Sequence, residues 1–89
     1  MRYKVDFTPQ SFQNISEIDK PIAERILTKI DWLAENLDII TPQALRGEFQ
    51  GVYKLVVGDW RVLYSIDYSE KTLTIYIIGH RSKVYRKKK

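Results

Sequence analysis

Eighty-nine residues are enough for one domain with one modest core, and too few for a nucleotide-binding half plus a substrate half. No cysteine and a single histidine exclude disulfide frameworks, zinc knuckles, iron–sulfur sites, cysteine nucleophiles and histidine-rich metal centres. The formal net charge of +4 is unevenly spread: residues 1–70 hold 8 basic and 11 acidic residues, whereas residues 71–89 hold 7 basic residues and no acid. A mildly acidic body with a basic end fits a polyanionic partner, while Lys87-Lys88-Lys89 taken alone reads equally well as a solvated tail. There is no apolar signal run after Met1 and no stretch of membrane-spanning length, so the expected location is the cytoplasm, with no membrane contact.

Arg2–Phe7 alternates polar and apolar, which predicts a half-buried strand. Thr8-Pro9 reads as a helix N-cap and first helical residue, and Phe12, Ile15 and Ile18 extend a short amphipathic helix. Pro21 opens a second helix whose apolar stripe is Ile22, Ile26, Ile30, Leu33 and Leu37; Trp32 reads as packing in this helical hairpin. Residues 38–44 are a predicted loop. Strands follow at Val52–Val57, Trp60–Tyr68 and Thr72–Gly79, joined by turns at Gly58-Asp59 and Ser69-Glu70. The expected fold is α+β: a β-α-α-β-β-β chain in which an N-terminal strand, a two-helix hairpin and a three-stranded meander form a twisted antiparallel sheet with both helices on one face. Residues 1–89 make a single domain with a basic tail at 86–89.

A two-residue turn at Gly58-Asp59 places Val57 opposite Trp60, Leu55 opposite Val62 and Tyr53 opposite Tyr64, with Val56 against Arg61 and Lys54 against Leu63 behind them. A turn at Ser69-Glu70 then pairs Val62 with Ile77, Tyr64 with Ile75 and Ile66 with Leu73, and sets Arg61 against Ile78 and Leu63 against Tyr76. In this register Lys54, Arg61 and His80 converge on the helix-free face, with Arg81 and Tyr85 just beyond the strand end. Trp60, Tyr64 and Tyr53 read as core.

That cluster is basic and aromatic. Arginine and lysine give charge-assisted donors to phosphate, and Tyr76 or Tyr85 can stack on an unpaired base. Cleaving RNA additionally needs a base at the 2′-hydroxyl, cations around the reacting phosphate and a donor for the leaving oxygen. His80 is the side chain best suited to proton transfer near neutral pH, Arg61 and Arg81 suit the phosphate, and Lys54 adds charge or, when neutral, takes a proton. No glycine-rich phosphate loop, carboxylate pair or serine triad competes.

The segments Leu45-Arg46-Gly47, Val52-Tyr53-Lys54-Leu55, Gly58-Asp59-Trp60-Arg61-Val62-Leu63-Tyr64 and Ile78-Gly79-His80-Arg81, with Val84-Tyr85, resemble the RelE/ParE superfamily of bacterial toxins in order and spacing, from the first strand to Tyr85. The resemblance implies a toxin of a type II toxin–antitoxin pair, with a cognate RelB-like antitoxin whose C-terminal segment wraps it. RelE-like members cleave mRNA in the ribosomal A site, without metal or other cofactor, by attack of the 2′-hydroxyl; ParE-like members inhibit DNA gyrase and cut no RNA. By matched position, Arg61, Arg81, Tyr85, His80 and Lys54 are the expected catalytic set. Arg46, Lys83, Arg86 and Lys87 are the expected RNA-binding set. Some RelE toxins carry a second lysine two residues beyond the first, where this chain has Val56. Retention of Arg61, Arg81 and Tyr85 favours the RelE-like activity over gyrase inhibition; a general nucleic-acid-binding module or an inactivated toxin is a third reading.

Overall fold

The computed structural model describes residues 2–45 and 50–84. In chain order the elements are β1 (Lys4–Phe7), α1 (Pro9–Ser16), α2 (Lys20–Asn36), β2 (Gln43–Ala44), β3 (Tyr53–Val57), β4 (Trp60–Asp67) and β5 (Thr72–His80). The sheet order is β1-β5-β4-β3-β2.

Local chemistry starts α1 as the sequence predicts. The Thr8 side chain accepts a hydrogen bond from the Ser11 amide at 3.1 Å, and Pro9, which has no N–H to leave unpaired, takes the first turn. In α2 the buried residues are Ile26, Ile30, Leu33 and Ala34, one stripe at three- and four-residue steps that lies on the sheet. The core joins that stripe to Tyr3 and to Leu55, Val62, Tyr64, Leu73, Ile75 and Ile78 of the sheet. Trp32 departs from expectation: it is 41% exposed, with the Lys29 ammonium 4.0 Å from its ring centre.

Two features of the sheet differ from the sequence-based expectation. It is mixed, because β1 lies parallel to β5, Val5 against Leu73 and Phe7 against Ile75. Tight turns force the meander strands to be antiparallel, but two helices separate β1 from them, and so long a connection permits parallel pairing. The predicted loop 38–44 also contributes β2, which pairs Gln43 with Lys54 and Ala44 with Tyr53 at the far edge.

The β3–β4 register is as predicted throughout, from Tyr53 opposite Tyr64 to Val57 opposite Trp60. The β4–β5 register is as predicted only from Tyr64 to Asp67. Beyond it, Leu63 pairs with Ile77, Val62 with Ile78, Arg61 with Gly79 and Trp60 with His80. Tyr76 is therefore an extra residue, a β-bulge that shifts the rest of β5 by one place. The expected pairs Val62–Ile77, Leu63–Tyr76 and Arg61–Ile78 do not form. Burial explains part of this, since the bulge carries Ile78 onto the core side beside Val62, where both are buried.

Candidate functional site

On the face away from the helices, alternation leaves Lys54 and Val56 of β3, Arg61, Leu63 and Ser65 of β4, and Ile77 and Gly79 of β5. Tyr76 shares that face: it is 41% exposed, and its hydroxyl lies 3.2 Å from Ser65 Oγ. Lys54 and Arg61 are both half-buried and stand on this one surface, as predicted. Arg61 folds back on its own turn, with Nη1 donating to the carbonyl oxygens of Gly58 at 2.9 Å and Trp60 at 3.0 Å. Gly58 makes that turn possible with φ +60°, a conformation costly for a residue with a side chain.

Arg81 meets the same turn from the other side. Its amide donates to Asp59 O at 2.8 Å, and its Nε lies 3.6 Å from Asp59 Oδ1. Both side chains of this ion pair are largely exposed, so it holds Arg81 weakly and leaves the guanidinium accessible. The turn between β3 and β4 and the chain leaving β5 are thus latched together, and Arg61 and Arg81 both bond to that turn.

His80 is not on the face expected for it. The bulge moves it opposite Trp60, on the helix side of the sheet, where its ring stands edge-on to the indole at 5.5 Å. Nδ1 accepts from the Ser82 amide at 3.2 Å and lies 2.9 Å from Ser82 Oγ, an arrangement that places the neutral ring's proton on Nε2. The His80 carbonyl accepts from the amides of Lys83 at 2.9 Å and Val84 at 3.0 Å, so the chain turns sharply here. That turn lays Val84 over Gly79, with Val84 Cβ 3.5 Å from where a Gly79 Cβ would stand. His80 and Lys83 line an open cleft of about 620 Å³ along the outer edge of β5, with Gln10 and Asn14 of α1 opposite.

The structure therefore brings Lys54 and Arg61 onto one face, sets Arg81 at its end, and turns His80 and Lys83 to the cleft. The expected residues Arg46, Tyr85, Arg86 and Lys87 lie outside the described residues. Sequence reasoning missed Thr8 and Asn14 as side chains that reach β5. Thr8 Oγ1 donates to the Tyr76 carbonyl at 3.1 Å, and Asn14 Oδ1 accepts from the Ile78 amide at 3.0 Å. The only trace of this in the sequence is an asparagine inside a helix, where it is a poor helix former unless its amide has another task.

The sheet is mixed and bulged, with a helical hairpin on one face and Lys54 and Arg61 on the other. Residues 5–85 match the family described as ParE toxin of type II toxin–antitoxin systems, parDE, and the chain belongs to that family. It is a toxin of a type II toxin–antitoxin system. Solved structures share its fold. The RelBE2 toxin–antitoxin complex of Mycobacterium tuberculosis matches with TM-score 0.82 at 24% identity, covering 93% of this chain and 95% of the other. The Escherichia coli RelE toxin, as a mutant in the free state, matches with TM-score 0.77 at 19% identity, covering 94% and 88%. The archaeal RelE–RelB complex of Pyrococcus horikoshii matches with TM-score 0.71 at 26% identity, covering 94% and 100%. A search of curated proteins found no match. No helix among the described residues is long and apolar enough to cross a membrane.

Proposed function

We propose that this toxin is a ribosome-dependent endoribonuclease that cleaves mRNA in the A site and so stops translation, acting in the cytoplasm and neutralised by a RelB-like antitoxin. The observation that carries the reading is the joint presentation of Lys54 and Arg61 on one open face, with Arg81 latched at its end. Two of the three solved structures compared are toxin–antitoxin complexes of RelE with RelB or of RelBE type, which supports the partner.

The chemistry assigned is transesterification. The 2′-hydroxyl loses its proton to a base as its oxygen attacks the adjacent phosphorus. The P–O5′ bond breaks, and the leaving O5′ takes up a proton, giving a 2′,3′-cyclic phosphate and a 5′-hydroxyl. Arg61 and Arg81 serve the non-bridging oxygens, where charge grows as the pentavalent phosphate forms. Lys54, on the face of Arg61, supports that charge or accepts the 2′-proton in its neutral form. Tyr85 is assigned to the sugar or base at the cut, with Arg46, Lys83, Arg86 and Lys87 on flanking phosphates. His80, turned to the other side of the sheet, holds the Arg81 turn through Ser82 and presents Nε2–H as a donor from the rim. So few proton-transfer groups on one face make positioning by the ribosome the larger part of the catalysis.

The test is a reconstituted ribosome complex with a defined A-site codon, run beside the same mRNA without ribosomes, with the ends mapped by primer extension. A cut only with ribosomes, lost in Arg61→Ala, is the expected result. The family's own description, a ParE toxin, favours a second reading, inhibition of DNA gyrase. Intact mRNA across several codons together with blocked supercoiling would replace the first reading with the second.

A further inference from the structure

We propose that Asn14 is a positioning residue: its side chain holds β5 in the bulged register, and that register sets Gly79, rather than a bulky residue, opposite Arg61. The argument starts from the direction of the backbone groups. Along a strand, successive residues point their N–H and C=O groups to alternate sides. The Ile75 carbonyl points outward, away from β4, since it accepts from the Thr8 amide at 3.0 Å. In an unbroken ladder Ile78, three residues on, would point inward and bond to β4. Its amide instead points outward and meets Asn14 Oδ1 at 3.0 Å. Only the bulge turns that amide outward, so the Asn14 bond can exist only in the bulged register.

The place of this bond in the fold explains why a side chain must make it. β1 pairs with β5 only as far as Ile75, so among the described residues the outer edge of β5 from Tyr76 onward has no strand partner. α1 crosses that edge, and its N-cap Thr8 and Asn14, six residues on, take up the Tyr76 carbonyl and the Ile78 amide in place of a strand. Ile78 is buried, so water is a poor substitute.

The consequence for the site lies one pair further along. In the regular register Ile78 stands opposite Arg61; in the bulged register Gly79 does. Val84 sits against Gly79, so the bulge creates the seat that brings the chain back over the sheet just before Tyr85. Asn14 therefore acts on Arg61 and on the segment after His80 without touching the substrate.

The activity arm of the test rests on the RNA-cleaving reading; the register arm does not. Asn14→Ala removes the acceptor, and Asn14→Asp keeps one of the same shape. By NMR, wild type and Asn14→Asp are expected to show Val62–Ile78 and Leu63–Ile77 cross-strand contacts and a slowly exchanging Ile78 amide. Asn14→Ala is expected to lose that protection and to gain Arg61–Ile78 contacts. Ribosome-dependent cleavage should fall on the order of 100-fold in Asn14→Ala, as expected of sub-ångström to ångström misplacement, and return in Asn14→Asp. Unchanged contacts in a folded Asn14→Ala overturn the register claim, and a shifted register with full cleavage overturns the positioning claim. If wild type itself does not cleave, the proposed function fails while the register arm still decides for Asn14. If Asn14→Ala does not fold, hydrogen exchange of the wild type decides: the Ile78 amide should open with α1, and opening only with the β4 amides would refute the inference.

Discussion

Arg61 serves its own turn as well as the proposed substrate, and the two duties differ in size. Its Nη1 bonds to the Gly58 and Trp60 carbonyls lie near the surface, where an intramolecular hydrogen bond contributes about 0.5–1.5 kcal/mol net. Removing a preorganised cation from a pentavalent phosphate costs catalysis 100-fold or more, about 3 kcal/mol or above. Arg61→Ala should therefore abolish measurable cleavage while moving the urea midpoint only slightly. Arg61→Lys keeps the charge but loses the planar fork, and should recover part of the activity. Tyr64 yields a separate prediction. Burial, followed by the neighbouring Tyr68 and Tyr53, pushes its phenol up from 10.0 to about 12. A raised acid pKa favours the native state only while the phenol stays protonated. Stability from this group is therefore intact below about pH 10, where the unfolded chain begins to ionise, and falls as pH rises toward 12. The loss is at most about 2–3 kcal/mol. Tyr64→Phe should flatten the alkaline limb of a stability–pH curve measured by urea unfolding. Tyr3 and Tyr68, also raised by burial, leave a shallower slope of the same sign.

Hairpins carry their register in their turns, and this separates what was legible in the chain from what was not. Gly58-Asp59 marks a two-residue turn, and the large apolar residues fall on one face only if Tyr53 meets Tyr64, so the β3–β4 pairing follows from sequence. The turn at Ser69-Glu70 sets the near half of β5 in the same way. The far half depends on the Asn14 side chain of α1, 64 residues from the amide it meets, and no glycine or proline at Tyr76 marks a bulge. Lys54 and Arg61 were therefore placed correctly, whereas His80, beyond the bulge, was assigned to the wrong face. Parallel pairing of β1 was hidden for a related reason: a strand followed by two helices has no turn to set its direction. Gly79 tests the bulge at the level of the element. An added Cβ would stand 3.5 Å from Val84 Cβ, an ordinary contact, and the Gly79 backbone is not left-handed. Gly79→Ala should fold with stability unchanged or raised by about 0.4–1 kcal/mol through the unfolded state. Gly79→Val, branched at the atom nearest Val84, should destabilise by about 1–3 kcal/mol and cut activity, because Val84 must leave its seat. Thermal unfolding of the two variants beside cleavage rates separates these cases.

Over the whole molecule, the charge is divided between an acidic body and a cationic end, and the fold brings the two close together. The helix-bearing side carries Glu24, Asp31 and Glu35 interspersed with Lys20, Arg25 and Lys29, with Asp31 and Glu35 engaged by Arg2. The far side and the chain after β5 carry Lys54, Arg61, Arg81 and Lys83, followed in sequence by Arg86, Lys87, Lys88 and Lys89. An RNA is attracted most strongly to the cationic end, and the attraction is screened over about 8–10 Å at physiological salt. Each lysine or arginine that neutralises a phosphate releases counterions, and for single strands this sets a slope of about −0.7 per contact in log K against log salt. If all four cations of 86–89 contact phosphate, removing them should make that slope shallower by about 3. If they trail in solvent, the slope should stay within about one contact of the full chain. Binding of a short single-stranded RNA, followed by fluorescence anisotropy from low to physiological salt, gives the number directly. The same titration with Arg61→Ala calibrates it, since one phosphate ligand removed from the sheet should change the slope by about 0.7. A truncation that leaves the slope unchanged would confine RNA recognition to cations before residue 86, among them Lys54, Arg61, Arg81 and Lys83.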